Sequence, residues 1–139
     1  MDEQSIKKLA ASSAALGDLD TKLSAALSRV EAALRRLFGV RVTTAVDVHM
    51  QLAFGKLNGS WALLLVDDRY EPDAVRLADS PRDIRARMFT EGYVEALIRG
   101  AVEQIDVMIE QRNVALARAN LAIAALDAAL LSVDKDPAQ

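Results

Sequence analysis

Few residues of this chain have the types and spacing that chemistry needs. The only histidine, His49, lies two residues after Asp47. A catalytic histidine needs a nucleophile or an acid at hydrogen-bond distance, and no motif around His49 supplies one. We therefore interpret His49 as a surface residue.

Carboxylates are more numerous, but their spacing matches no known metal site. The acidic run Asp67, Asp68, Glu71 and Asp73 lacks the alternation and the glycine of an EF-hand loop. Glu91, Glu95, Glu103 and Glu110 show none of the Glu-x-x-His pairing of a di-iron bundle. We expect a solvated loop at residues 67–79, with a short edge strand around residues 75–77 as an alternative, and no metal site.

The sequence also lacks the short motifs that carry catalysis. It has no phosphate-binding glycine-rich loop, no Gly-x-Ser-x-Gly elbow and no histidine cluster. It has no cysteine, which excludes disulfides and thiolate metal sites. We predict a protein that is not an enzyme, with no cofactor and no evident small-molecule substrate.

The charge pattern argues against nucleic acid as a direct ligand. The net charge is -3 and the isoelectric point is near 5.2, whereas phosphate binding needs a clustered positive surface. Interleaved acids such as Asp83 and Glu91 dilute the nearest basic group. That group comprises Arg41, Arg69, Arg82, Arg85 and Arg87.

Composition predicts a soluble, cytoplasmic, bacterial protein of one domain, residues 1–139. Apolar residues make up 52% of the chain. No uninterrupted apolar run approaches the roughly 20 residues of a membrane span. The N-terminus shows no basic segment followed by an apolar one, so no secretory signal is visible.

Two stretches carry apolar residues at alternating intervals of three and four, the a and d positions of a heptad. They predict long helices over residues 3–38 and 101–133. In the first, Ser13 and Asp20 interrupt the pattern; in the second, Arg112 does. The first series is Ile6, Leu9, Leu16, Leu23, Leu27, Val30, Leu34 and Leu37; the second is Val102, Ile105, Ile109, Leu116, Ala119, Ile123, Leu126, Leu130 and Val133.

Between the long helices, residues 40–66 alternate with a period of two and predict an antiparallel sheet. Asn58-Gly59 is a strong type I′ hairpin signal and pairs Lys56 with Trp61. For residues 40–54 we favour one long strand with a bulge over two strands joined by a turn. The run 62–66 is apolar on both faces, so we expect cover on each side.

A third helix is predicted over residues 80–99, with Ser80 as N-cap, Pro81 at the first helical position and a bend at Gly100. Residues 134–139 should form a frayed tail. The fold class is therefore α+β. Long N- and C-terminal helices pack antiparallel in a coiled-coil-like manner, with a small β-hairpin sheet and a further helix between them.

One antiparallel alignment of the long helices places Asp20 opposite Arg112 and Leu16 opposite Leu116. A buried pair of opposite charges would fix this register, because leaving either charge alone costs about 3–5 kcal/mol. Alternatively, both charges turn outward to solvent, or they pair between subunits. The alignment leaves Leu130, Leu131 and Val133 uncovered, so we expect a second copy or another protein there.

Trp61, next to Lys56 across the hairpin, either packs in the core, which we favour, or is exposed as a partner anchor. The sequence favours a non-catalytic interaction or adaptor protein that self-associates or docks a partner through helical surfaces. The alternative is a small regulator or inhibitor of a nucleic-acid-processing enzyme, of the kind mobile elements encode.

Overall fold

The computed structural model describes residues 2–134 and confirms the α+β class, with long helices at both ends and a four-stranded antiparallel sheet between them. The described residues form two compact units, one up to Ala101 and one from Val102. The elements are α1 (Glu3–Leu37), β1 (Val42–Ala45), β2 (Met50–Leu57), β3 (Ser60–Asp67), β4 (Ala74–Arg76), α2 (Arg82–Thr90) and α3 (Tyr93–Asp134). A single 3₁₀ turn, Leu77–Asp79, precedes α2.

Of the predicted tail, residues 134–139, only Asp134 is described, and it is the last residue of α3. The other five positions lie outside the described residues.

Helix α1 begins and ends close to its predicted bounds. The Asp2 side chain caps it by accepting a hydrogen bond of 2.6 Å from the Ser5 backbone N–H, which satisfies one of the unpaired donors of the first turn. This bond also lowers the pKa of Asp2. At the other end Arg35 and Arg36 lie in the last turn, where cations complement the helix dipole.

The predicted hairpin register is confirmed. Lys56 pairs with Trp61, and Asn58 and Gly59 both have positive φ, of 53° and 82°. Only glycine and, less readily, asparagine adopt this backbone conformation without strain.

The prediction of a single long strand over residues 40–54 was wrong, because β1 and β2 are separate strands with a turn between them. The Asp47 carboxylate accepts hydrogen bonds of 2.8 Å from the backbone N–H groups of His49 and Met50. These bonds lower the pKa of Asp47 and replace ladder bonds, so the chain reverses without a glycine or a proline.

Strand β3 is the centre of the core. It pairs with β2 along its whole length but with β4 only from Leu64 to Val66. Its residues on both faces are buried, as expected, and so are their β2 neighbours. These residues are Leu52, Ala53, Phe54, Ala62, Leu63, Leu64 and Leu65.

Helix α1 covers the part of the β3 edge that β4 leaves open. Arg35 donates a hydrogen bond of 3.3 Å to the Trp61 carbonyl, and the backbone of Leu63 hydrogen-bonds the Glu31 carboxylate. Burial raises the pKa of Glu31, against the opposing effects of Arg35 and of this hydrogen bond. Covering an edge in this way blocks strand addition by other chains.

The predicted helix over residues 80–99 is divided into α2 and α3, and the break lies at Gly92 rather than at Gly100. Gly92 has φ of 75°, which a helix interior does not permit. Gly100 is helical and lies against β1: an added Cβ would be 3.4 Å from Val42 Cγ2. The N-cap of α2 is Pro81, whereas the Ser80 hydroxyl donates to the Leu77 carbonyl.

Candidate helical interface

The apolar face of α1 is covered only in its C-terminal half. Leu27 and Leu34 are buried, whereas Ile6, Leu9 and Leu16 are more than half exposed. Exposed ion pairs one turn apart, Glu3 with Lys7 and Asp18 with Lys22, support the exposed half as a helix. The N-terminal half of α1 is therefore an open apolar face on a helix.

Helix α3 is likewise buried only at its start, at Val94, Leu97 and Ala101. From Val102 onward most of its apolar residues are exposed; Leu116 is 60% exposed. Leu16, its partner in the predicted seam, is also 60% exposed. Both residues of this predicted seam contact are thus uncovered apolar side chains.

In the exposed part of α3, the seven-residue repeat is visible at a further position besides a and d. Written in sevens from Val102, it reads VEQIDVM, IEQRNVA, LARANLA, IAALDAA and LLSVD. The a position is always aliphatic, and the position four residues later is always Asp or Asn. We call the a and d residues from Val102 to Val133 the seam stripe. We call Asp106, Asn113, Asn120, Asp127 and Asp134 the Asp/Asn stripe.

A strict period of seven has a physical consequence. A straight α-helix drifts by about 20° per heptad against such a repeat, so five repeats would rotate the stripe by about 100°. The stripe keeps facing one neighbour only if the helix supercoils left-handedly around that neighbour. The repeat in α3 is thus the pattern of a helix that packs against another helix.

Asp20 has a partner that the heptad pattern did not predict. Its carboxylate, 20% exposed, lies 3.6 Å from the Arg82 guanidinium at the start of α2. Arg112 is exposed on the seam stripe. No pattern in the sequence signals the Arg82 contact, because it depends on where α2 packs against α1.

Trp61 is half-buried, and its ring contacts a buried phenylalanine. Its ring stacks on Phe54 with centroids 5.4 Å apart, and the Lys56 ammonium lies 5.9 Å from the ring centroid. The remaining predicted interaction residues, Leu130, Leu131 and Val133, are all more than half exposed on α3.

The acidic loop is held by its own backbone and by one arginine. The Arg69 guanidinium makes two hydrogen bonds, of 3.0 and 2.7 Å, to the Asp67 carboxylate, and this contact lowers the pKa of Asp67 to about 2. His49 Nδ1 lies 3.0 Å from Asp68 Oδ1 at the surface. Among residues 2–134, no three His, Asp or Glu side chains come together in a group that could hold a metal ion.

Four of the five arginines in the predicted basic group are engaged within the chain. Arg85 donates to the carbonyls of Ala78 and Ser80, and Arg87 donates to the Glu91 carboxylate, which raises the pKa of Arg87. Arg69 and Arg82 pair with Asp67 and Asp20. These contacts reduce the positive surface that phosphate binding would need.

A groove lies beside β4, with a volume of about 710 Å³. Apolar side chains such as Leu57 and Ile84 line it together with polar ones, among them Tyr70, Arg76 and Asp79. Its lining is therefore mixed, with both apolar and charged groups.

Helix α3 has the length and composition of a membrane span: one window of 18 residues is apolar, has at most two charged residues and is not buried. Core helices of soluble proteins can pass the same criteria. Composition alone does not assign α3 to a membrane.

No known protein family, curated sequence or solved structure matches this chain.

Proposed function

We propose that this protein is a non-catalytic interaction protein that uses α3, from Val102 to Asp134, and the N-terminal half of α1 to bind helices supplied by another chain. The observation that carries this proposal is the heptad repeat of α3, whose a positions are exposed over five successive repeats. Monomeric proteins rarely expose a continuous apolar surface of this size. The interaction would take place in the cytoplasm.

Two features favour a helical partner over a lipid bilayer. Every 18-residue stretch of α3 with at most two charged residues contains Arg118 and Asp127, and Asn120 lies between them. A charged side chain at the bilayer centre costs about 2.5–3.5 kcal/mol on insertion scales. Polar residues at the margin of a heptad seam, by contrast, are ordinary determinants of register and partner choice.

The alternative function, regulation or inhibition of a nucleic-acid-processing enzyme, has less support. That hypothesis needs free arginines or free carboxylates as contact groups, but Arg82, Arg85 and Arg87 are engaged within the chain. Asp67 is held by Arg69 in the same way.

A pair of matched variants tests the proposed function. Ile123→Glu places a charge on the seam stripe, whereas Ala125→Glu places the same charge two residues away on a different side of α3. We expect the wild-type protein and Ala125→Glu to bind to themselves or to a discrete protein in a host extract, and Ile123→Glu to lose that binding. Equal retention by all three, or no association by any, would refute the proposal.

A further inference from the structure

We infer that the occupant of the seam stripe is α3 of a second copy of this chain, packed antiparallel over residues 102–134. This inference rests on the proposed function and names its partner. Three properties of the exposed helix carry it: the length of the stripe, the position of Arg112 and the order of residues in the Asp/Asn stripe.

The area is sufficient for a specific interface only when the whole stripe is covered. Residues 102–134 extend for about 50 Å at 1.5 Å per residue. A stripe about 100° wide on a cylinder about 11 Å across presents about 500 Å². Pairing two such stripes removes about 1,000 Å² from water, the lower limit for a specific interface. The partner must therefore match the full length of α3, as a second α3 does.

The position of Arg112 favours an antiparallel pair of α3 helices over a parallel pair. In a parallel, in-register pair the two Arg112 side chains would lie at the same level of the seam and repel each other. In the antiparallel pair that overlaps all five repeats, Arg112 instead lies opposite Ile123 of the second copy, and Ile109 lies opposite Leu126. The aliphatic part of Arg112 then packs in the seam while its guanidinium reaches solvent.

The Asp/Asn stripe is self-complementary in this register. From residue 106 to residue 127 it reads Asp, Asn, Asn, Asp in both directions. In an antiparallel seam these positions flank one another, so Asn113 meets Asn120 of the second copy, and the two-fold axis repeats the contact. A two-fold interface requires this kind of self-complementary surface.

The opposite margin of the seam is formed mostly by small residues. Ala115, Ala122 and Ala129 precede three of the a residues and permit a close approach of the two helix axes there, whereas Met108 precedes Ile109. At the ends of the pair, Asp106 meets Asp127 of the second copy. This like-charge contact weakens association, and it gives the register a specific test.

The first experiment traps the register with cysteines, which the chain lacks. Ile109→Cys and Leu126→Cys are prepared separately, mixed and oxidised. A disulfide needs Cα atoms within about 7 Å. We expect a cross-linked dimer from the mixture and almost none from either variant alone, because position 109 of one chain would lie about 25 Å from position 109 of the other.

Efficient cross-linking of each variant with itself would overturn the antiparallel register. Trp61 fluorescence verifies that the variants keep the folded sheet, since the only tryptophan lies there.

The second experiment measures association of the purified protein by sedimentation. We expect Ile123→Glu to raise the dimer dissociation constant on the order of a hundredfold and Ala125→Glu to leave it nearly unchanged. Asp106→Lys should lower it by about threefold or more, because two repulsive contacts become attractive. An unchanged dissociation constant for Asp106→Lys would indicate a parallel pair and would overturn the inference.

Failure of the inference is distinguishable from failure of the proposed function. If the purified chain is strictly monomeric but retains a host protein in a manner that Ile123→Glu abolishes, the second copy is wrong and the proposed function stands. If the monomer instead floats with phosphatidylcholine–phosphatidylglycerol vesicles through α3, both are wrong.

Discussion

The two halves of α1 have the same heptad pattern and opposite surroundings. Leu27, in the C-terminal half, is 2% exposed, whereas Leu16, in the N-terminal half, is 60% exposed. The difference lies in what the rest of the chain supplies: the sheet and α2 pack against the C-terminal half. A heptad pattern therefore specifies a helix and its apolar face. Which part of that face is buried depends on where the other elements of the chain pack.

Helix α3 repeats this contrast. Leu97 is fully buried, yet most of the seam stripe beyond Ala101 is exposed. The buried segments of both helices belong to the core around the sheet, and the exposed segments form the surfaces that we assign to partner binding. Substitutions should separate these two roles.

The largest expected effect is the loss of a large buried side chain. Leu27→Ala should lower the free energy of unfolding by about 2–5 kcal/mol, because it removes buried apolar contacts and leaves a cavity. Leu16→Ala, the same change in the exposed half of α1, should alter it by less than about 0.5 kcal/mol. Urea unfolding followed by Trp61 fluorescence measures both values, and equal losses would contradict the contrast.

Alanine substitutions at two glycines should have opposite effects on stability, one in the hairpin turn of the sheet and one in the exposed half of α1. Gly59→Ala should destabilise the protein by about 1–3 kcal/mol, because an alanine with φ of 82° is strained. Gly17→Ala should stabilise the N-terminal half of α1 by about 1 kcal/mol, since Gly17 lies in a helix with open space around its Cα. Amide exchange should accordingly slow about fivefold near residue 17. Effects of the same sign at both sites would contradict this prediction.

A double-mutant cycle tests the partner of Asp20. Combining Asp20→Asn with Arg82→Gln should reveal a coupling of about 0.2–1 kcal/mol, as expected for a partly exposed ion pair. Combining Asp20→Asn with Arg112→Gln should give additive changes in the free energy of unfolding. A larger coupling to Arg112 than to Arg82 would support the pairing predicted from the heptads.

The smallest expected effect is a dependence on pH within the acidic loop. Because Arg69 lowers the pKa of Asp67 from 3.8 to about 2, their contact stabilises the fold above pH 3.8, and this stabilisation is lost as the pH falls toward 2. Urea midpoints of the wild type should thus fall more steeply over this range than those of Arg69→Gln. Parallel curves would show that the contact contributes nothing in solution.

Local signals in the sequence predicted much of the fold. The Asn58-Gly59 turn and the alternation on both sides of it determine the β2–β3 register without any knowledge of the remaining structure. The turn at Asp47 was also signalled, because an aspartate can hydrogen-bond the backbone two and three residues later. Unbroken alternation over residues 40–54 obscured that signal.

Other features could not be predicted, because they depend on tertiary packing. Gly92 and Gly100 are similar as interior glycines in the sequence, yet only Gly92 breaks the helix, and Gly100 instead lies against Val42. The Asp20–Arg82 contact requires the position of α2. For the candidate interface, the heptads identified the residues of the seam. They did not predict which half of each helix is buried within the chain.

The mass of the purified protein in solution tests the central claim most directly. Sedimentation equilibrium over a wide concentration range should show reversible association from 15.1 kDa to twice that mass, and Ile123→Glu should remain at the lower mass. A wild-type protein that stays at 15.1 kDa at every concentration would contradict the assignment of α3 to pairing with a second copy.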